Sequence, residues 1–105
     1  MAEWHRVAKI DDLADGRSLA CDYDGESVAL FNVEGEIFAV SNQCPHAGGR
    51  LVEGFIEEGR VVCPWHAWSF PLSPKDPPND GLCRYGVRIV GDEIEIQELA
   101  MNRNF

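Results

Sequence analysis

The chain has 105 residues, of which 45% are hydrophobic, and this is the size and composition of one folded domain. Nine Lys and Arg against 18 Asp and Glu leave a net charge of −9, which disfavours nucleic acid and other polyanions as partners. No apolar run approaches the roughly 20 residues of a membrane-spanning helix, and the first residues lack the basic and apolar regions of a secretion signal, so we expect a cytoplasmic protein without membrane contact.

Short β-branched and aromatic runs, separated by turn residues about every ten positions, predict an all-β domain. The predicted strands, in chain order, cover residues 4–10, 17–24, 27–33, 36–40, 54–56, 60–62, 85–90 and 93–99. Turns at residues 34–35, 57–59 and 91–92 join six of these strands into three hairpins. In the last strand, strict alternation predicts that Ile94 and Ile96 face the core.

One segment, residues 42–81, interrupts this pattern of hairpins. It contains all six prolines and two of the three histidines of the chain. We interpret residues 1–105 as a single domain, in which a β base formed by residues 1–41 and 82–105 carries 42–81 as a loop-rich insertion.

Two short motifs that combine cysteine and histidine lie in the insertion. Cys44 and His46 form the first motif, and Cys63 and His66 form the second, with sixteen residues between His46 and Cys63. A proline follows each cysteine and restricts the backbone there, as a tight loop requires if two nearby side chains are to turn to one centre. Two thiolates and two imidazoles are a donor set for either zinc or an iron–sulfur cluster.

The order of the four residues separates these two possibilities. Zinc sites with this donor set usually have two cysteines followed by two histidines, whereas here a cysteine and a histidine alternate. Alternation allows both thiolates to bind one iron and both imidazoles to bind another, which favours a binuclear cluster. A zinc-stabilised interaction module stays open as an alternative. We expect Cys21 and Cys83 to be reduced packing residues, with a disulfide between them as the alternative.

The spacing of the four residues, Cys44, His46, Cys63 and His66, resembles the ligand signature of the Rieske [2Fe–2S] proteins, as do the residues that follow each motif. The resemblance covers nearly the whole chain. It implies the Rieske fold, an antiparallel β base with a small inserted cluster-binding subdomain. It also implies that these four residues ligate one Rieske-type [2Fe–2S] cluster.

Differences from the membrane-bound members indicate the branch of the family. Respiratory and photosynthetic members carry an extra cysteine in each ligand loop, a membrane anchor, and a Ser and a Tyr after the second loop that donate hydrogen bonds to sulfur. Here Gly49 and Trp65 stand in place of the cysteines, and Trp68 and Phe70 in place of the Ser and Tyr. These differences favour the soluble members of the family. With fewer donors to the cluster, we expect a reduction potential of about −150 mV, the low end of the range for such clusters.

The resemblance implies a ferredoxin that passes single electrons from an NAD(P)H-dependent flavin reductase to a terminal oxygenase and is not itself an enzyme. His5 is the one histidine left over, too few for the mononuclear iron site of an oxygenase. No Gly-x-Gly-x-x-Gly run is present to bind a flavin or nicotinamide. The segment 61–74 has no charged residue, and we expect a monomer that docks transiently through an uncharged patch around the cluster, which contains Pro45 and Trp65. A Rieske-like small subunit of an assimilatory nitrite reductase is the alternative.

Overall fold

A computed structural model describes residues 4–44, 49–64, 69–72 and 82–98. Within these ranges the strands are β1 (His5–Lys9), β2 (Ser18–Tyr23), β3 (Glu26–Val33), β4 (Glu36–Ser41), β5 (Phe55–Glu57), β6 (Arg60–Val62), β7 (Ser69–Pro71), β8 (Arg84–Val90) and β9 (Glu93–Glu98). Two short 3-10 helices, Ile10–Asp12 and Leu51–Glu53, complete the regular structure of the described residues. The predicted all-β class is confirmed. None of the helices in the described part of the chain has the length and apolarity needed to cross a bilayer.

Six strands form the base sheet, in the order β1-β9-β8-β4-β3-β2, and every pairing in it is antiparallel. The sheet curls until its two edge strands meet. β1 contacts β2, and the ring centroid of His5 lies 4.6 Å from that of Tyr23. Ile94 and Ile96 are fully buried inside the curl, as the alternation in β9 predicts.

Three strands form the small sheet, in the order β5-β6-β7. The turn between β5 and β6 is one residue shorter than predicted. Glu58 and Gly59, at φ values of 50° and 75°, make a two-residue turn of the left-handed type, so Glu57 is the last residue of β5. Strand β7 was not predicted, because Pro71 within a short run argues against a strand. Pro71 is tolerated in β7 because β7 is an edge strand of the small sheet.

Two hydrophobic cores share strand β3. The base core consists of Leu13, Tyr23, Val28, Leu30, Ala39, Tyr85, Ile94 and Ile96. The insertion core, between the base sheet and the small sheet, consists of Ala29, Phe31, Val40, Cys44, Leu51, Val61, Cys63, Phe70, Leu72 and Leu82. Successive side chains of β3 point to opposite faces of the sheet, so Val28 and Leu30 enter the base core while Ala29 and Phe31 enter the insertion core.

Candidate metal centre

The first ligand loop, residues 44–49, is closed by paired backbone at its two ends. The amide of Cys44 donates to the carbonyl oxygen of Gly49 at 2.8 Å. Two residues outside the loop on each side, the amide of Leu51 donates to the carbonyl oxygen of Asn42 at 2.7 Å. Cys44 is 1% exposed, so its side chain points from the neck of this loop into the insertion core.

The second ligand loop, residues 63–68, is closed by the β6–β7 hairpin. Val62 and Ser69 face each other in the pairing of these strands, directly outside the loop. Cys63 follows β6 immediately and is also 1% exposed within the insertion core. Both loops therefore contain six residues and begin with a buried cysteine.

His46 and His66 lie outside the described residues. They are the third residue of the first loop and the fourth residue of the second. The structure thus places two of the four predicted ligands, Cys44 and Cys63, in one packed core, and it fixes the loop ends between which the two histidines lie.

The surroundings of the two cysteines fit the cluster that their donor set predicts. Their neighbours in the insertion core are apolar, and Leu51, Val61 and Phe70 are among them. Apolar surroundings disfavour net charge. Two Fe³⁺, two sulfides, two thiolates and two neutral imidazoles sum to zero charge, so an oxidised cluster of this composition would be compatible with these apolar neighbours.

Phe70 and Gly54 show how the small sheet supports the second loop. Phe70 is buried in the insertion core, while Trp65 and Trp68 lie outside the described residues. Gly54 passes so close to β6 that a Cβ atom there would overlap the backbone carbonyl of Val62. Only glycine permits this approach beside Cys63.

Two buried polar side chains at the boundary between base and insertion were missed by the sequence analysis. Asn42 is 3% exposed and Arg84 is 5% exposed. The guanidinium of Arg84 donates from Nε to the carbonyl oxygen of Pro71 at 2.9 Å and from Nη1 to that of Leu82 at 3.3 Å. The position of Asn42, two residues before a predicted ligand, Cys44, is the one signal that could have identified it.

Cys21 and Cys83 are free thiols in the structure. Cys21 on β2 pairs with Val28 on β3, which pairs with Ser41 on β4, and the amide of Ser41 donates to the carbonyl oxygen of Cys83. Three strand spacings of about 4.8 Å therefore separate the two cysteines. A disulfide needs Cα atoms within about 7 Å, so the alternative of a Cys21–Cys83 disulfide is wrong.

Both thiols outside the ligand loops have raised pKa values. Burial, reinforced by the carboxylate of Asp22, raises the pKa of Cys21 to about 11. Burial also raises the pKa of Cys83. Each is therefore a protonated thiol at neutral pH, as the prediction of reduced packing residues requires.

Comparisons with known proteins agree with this geometry. The profile of the Rieske [2Fe-2S] domain matches residues 3–77. The ferredoxin subunit of anthranilate 1,2-dioxygenase from Burkholderia cepacia is 33% identical over 100 residues, which cover 91% of this chain and 93% of that protein.

Two solved structures have the same fold over nearly their whole length. The ferredoxin of carbazole 1,9a-dioxygenase from Nocardioides aromaticivorans superposes with a TM-score of 0.75 at 30% identity, over 89% of this chain and 95% of that one. A protein assigned as the small subunit of an NADH-dependent nitrite reductase from Mycobacterium tuberculosis superposes with a TM-score of 0.81 at 25% identity, over 95% of this chain and 98% of that one.

Proposed function

The chain belongs to the Rieske [2Fe–2S] domain family, and from this premise we propose that Cys44, His46, Cys63 and His66 hold one [2Fe–2S] cluster in a ferredoxin of a dioxygenase system. The observation that carries the proposal is the pair of six-residue loops, each opening with a buried cysteine of the same core. The likeness to dioxygenase ferredoxins over nearly their full length supports the role of electron carrier.

Cys44 and Cys63 would hold one iron of the cluster, and His46 and His66 would hold the other. When bound, the cluster would supply a site that accepts and releases one electron. Two neutral imidazoles would leave more positive charge on their iron than two thiolates would, which would favour the histidine side for the added electron. The apolar insertion core covers the cysteine side and keeps water from it.

The redox partners are an NAD(P)H-dependent flavin reductase and a terminal oxygenase, which this ferredoxin meets as a cytoplasmic monomer. Of the described residues in the uncharged segment 61–74, Pro64 alone is exposed, whereas Val61, Val62, Cys63, Phe70 and Leu72 are buried, so we expect docking around Pro64 and not along the whole segment. The net charge of −9 favours fast encounter with basic partner surfaces, an effect that salt weakens.

Phe70 offers no hydroxyl to the cluster, so we expect voltammetry to find a reduction potential of about −150 mV.

Reduction of the purified protein tests this function. Protein prepared without oxygen should lose part of its visible absorption and gain an electron paramagnetic resonance signal when dithionite supplies one electron per cluster. A flavin reductase with NADH should produce the same change, and a terminal oxygenase should reverse it. A colourless protein that contains zinc and no inorganic sulfide would instead support the zinc-stabilised module.

The likeness to the nitrite reductase small subunit favours a second candidate function. In that role the chain would be a lasting component of an enzyme and would not exchange partners. Gel filtration with a large reductase subunit distinguishes the two, because a subunit co-elutes whereas a ferredoxin elutes alone.

A further inference from the structure

Among the described residues, three polar side chains are buried, and each of them makes hydrogen bonds between segments of the chain. They are Asn32, Asn42 and Arg84. A buried amide is costly unless its donor and its acceptor both find partners. The partners of each side chain therefore identify the segments whose relative position it fixes.

Asn42 joins three segments around the neck of the first ligand loop. Its amide donates to the carbonyl oxygen of Ser27 on β3 at 3.0 Å, and its Nδ2 donates to the Ser27 hydroxyl at 3.0 Å. Its Oδ1 accepts from the amide of Val52 at 2.9 Å. Its carbonyl oxygen accepts from the amide of Leu51 at 2.7 Å. One residue thus ties the base sheet to the 3-10 helix that follows the loop.

The place of Asn42 in the chain gives these contacts a consequence for the metal centre. Asn42 precedes the loop by two residues, and Leu51 and Val52 follow its last residue by two and three. The bridge between Gln43 and Arg50 closes the loop, and Asn42 ties both of its ends to the base sheet and to the 3-10 helix. Displacement of either end moves Cys44, which the same neck holds through its bond to Gly49.

We propose that Asn42 is a positioning residue, which fixes the first ligand loop so that Cys44 and His46 meet the cluster in their binding geometry. This inference rests on the proposed function. Asn42 does not touch the cluster in this account and acts through the two ends of the loop.

Asn32 is a matched control within the same fold. Its Nδ2 donates to the carbonyl oxygen of Leu13 at 2.9 Å, and its Oδ1 accepts from the amide of Gly35 at 2.9 Å. The same buried amide thus makes the same two kinds of bond, but both partners belong to the base and neither adjoins a ligand loop. Loss of either side chain should cost similar stability, whereas only the loss of Asn42 should disturb the cluster.

The test compares Asn42→Ala, Asn42→Asp and Asn32→Ala with the parent protein, all loaded with the cluster. Release of iron to a chelator should be about tenfold faster in Asn42→Ala, as expected when a buried hydrogen-bonding partner is removed, and within about twofold of the parent in Asn32→Ala. Asn42→Asp retains an acceptor for the Val52 amide and should release iron at an intermediate rate. The paramagnetic resonance spectrum should change in Asn42→Ala alone.

Equal iron release and unchanged spectra in Asn42→Ala and Asn32→Ala would overturn the inference. If Asn42→Ala does not fold, Asn42→Asp decides, because a release rate equal to that of Asn32→Ala also contradicts it. A parent protein that takes up no cluster would instead overturn the proposed function, so the two failures are distinguishable.

Discussion

The two ligand loops have the same length and the same buried cysteine at their start, yet they are held by different means. The first is closed by a single antiparallel bridge between Gln43 and Arg50, and the side chain of Asn42 adds bonds to β3 and to a short 3-10 helix. The second is closed by strand pairing, and the guanidinium of Arg84 connects its last strand to the base. The first loop therefore depends more on a few polar contacts for its position, whereas the second depends on the pairing of two strands. Single substitutions should therefore affect the two loops unequally.

The largest effect is expected on the iron and sulfide content of cysteine variants, and it should differ between the two cysteines of the loops and the two outside them. Cys44→Ala and Cys63→Ala each remove a proposed thiolate ligand from one of the loops, so iron and sulfide should fall to background in either variant. Cys21→Ala and Cys83→Ala are the controls, since both residues lie outside the loops, and they should retain the visible spectrum. Metal analysis that finds a full cluster in a Cys44 or Cys63 variant would refute the ligand assignment.

Gly54→Ala should be the next most damaging change, and it should act on the second loop. The new Cβ would overlap the carbonyl of Val62 and displace β5 from β6 beside Cys63. Forced overpacking of this kind costs up to about 3 kcal/mol. Denaturant unfolding and iron content together measure the effect.

Gly25→Ala is the control for that change. Gly25 has a φ of 89° but open space around its Cβ position, so alanine there should cost only about 1 kcal/mol and leave iron content unchanged. Equal losses in the two glycine variants would show that β5 and β6 do not need this close approach.

Arg84→Met tests whether the buried guanidinium of Arg84 stabilises the attachment of β7 to the base. The variant takes a buried donor away from the carbonyls of Pro71 and Leu82, and we expect a loss of about 2 kcal/mol in the free energy of unfolding. Arg84→Lys should recover only part of it, because an ammonium group lacks the planar fork of donors.

Arg60→Met is the matched control on the same strand pair. Arg60 bonds to Ser69 on β7 from an exposed position, so its loss should cost less than about 1 kcal/mol. If Arg60→Met is as destabilising as Arg84→Met, burial of the cation is not what secures the hairpin.

The smallest effect concerns a thiol outside both loops. Because the pKa of Cys21 is raised from 9.0 to about 11, its thiolate fraction at pH 8 is about 100-fold below that of an unperturbed cysteine, and iodoacetamide should modify it that much more slowly. The protonated form favours the folded state, so this contribution to stability is complete below pH 9 and declines as the pH rises through 11. Mass spectrometry of native and urea-unfolded Cys83→Ala protein gives the two rates. Equal rates would contradict the raised pKa.

The hairpins of the fold could be predicted from the sequence, because a two-residue turn and alternating residues are local signals. The alternation around Ile94 and Ile96 is an example. Strand β7 could not be predicted, since its pairing with β6 compensates for an unfavourable Pro71. The four candidate ligands were evident from their spacing. The supports of the loops were not, because a polar residue such as Asn42 acquires its role only from partners distant in sequence.

Pulsed electron paramagnetic resonance of the dithionite-reduced protein tests the central claim most directly. If His46 and His66 bind the iron that receives the electron, the spectrum should show two strong nitrogen couplings, and both should change when the histidines are labelled with ¹⁵N. His5→Ala, which removes the one other histidine, should leave both couplings in place. A reduced cluster without nitrogen couplings would contradict the account.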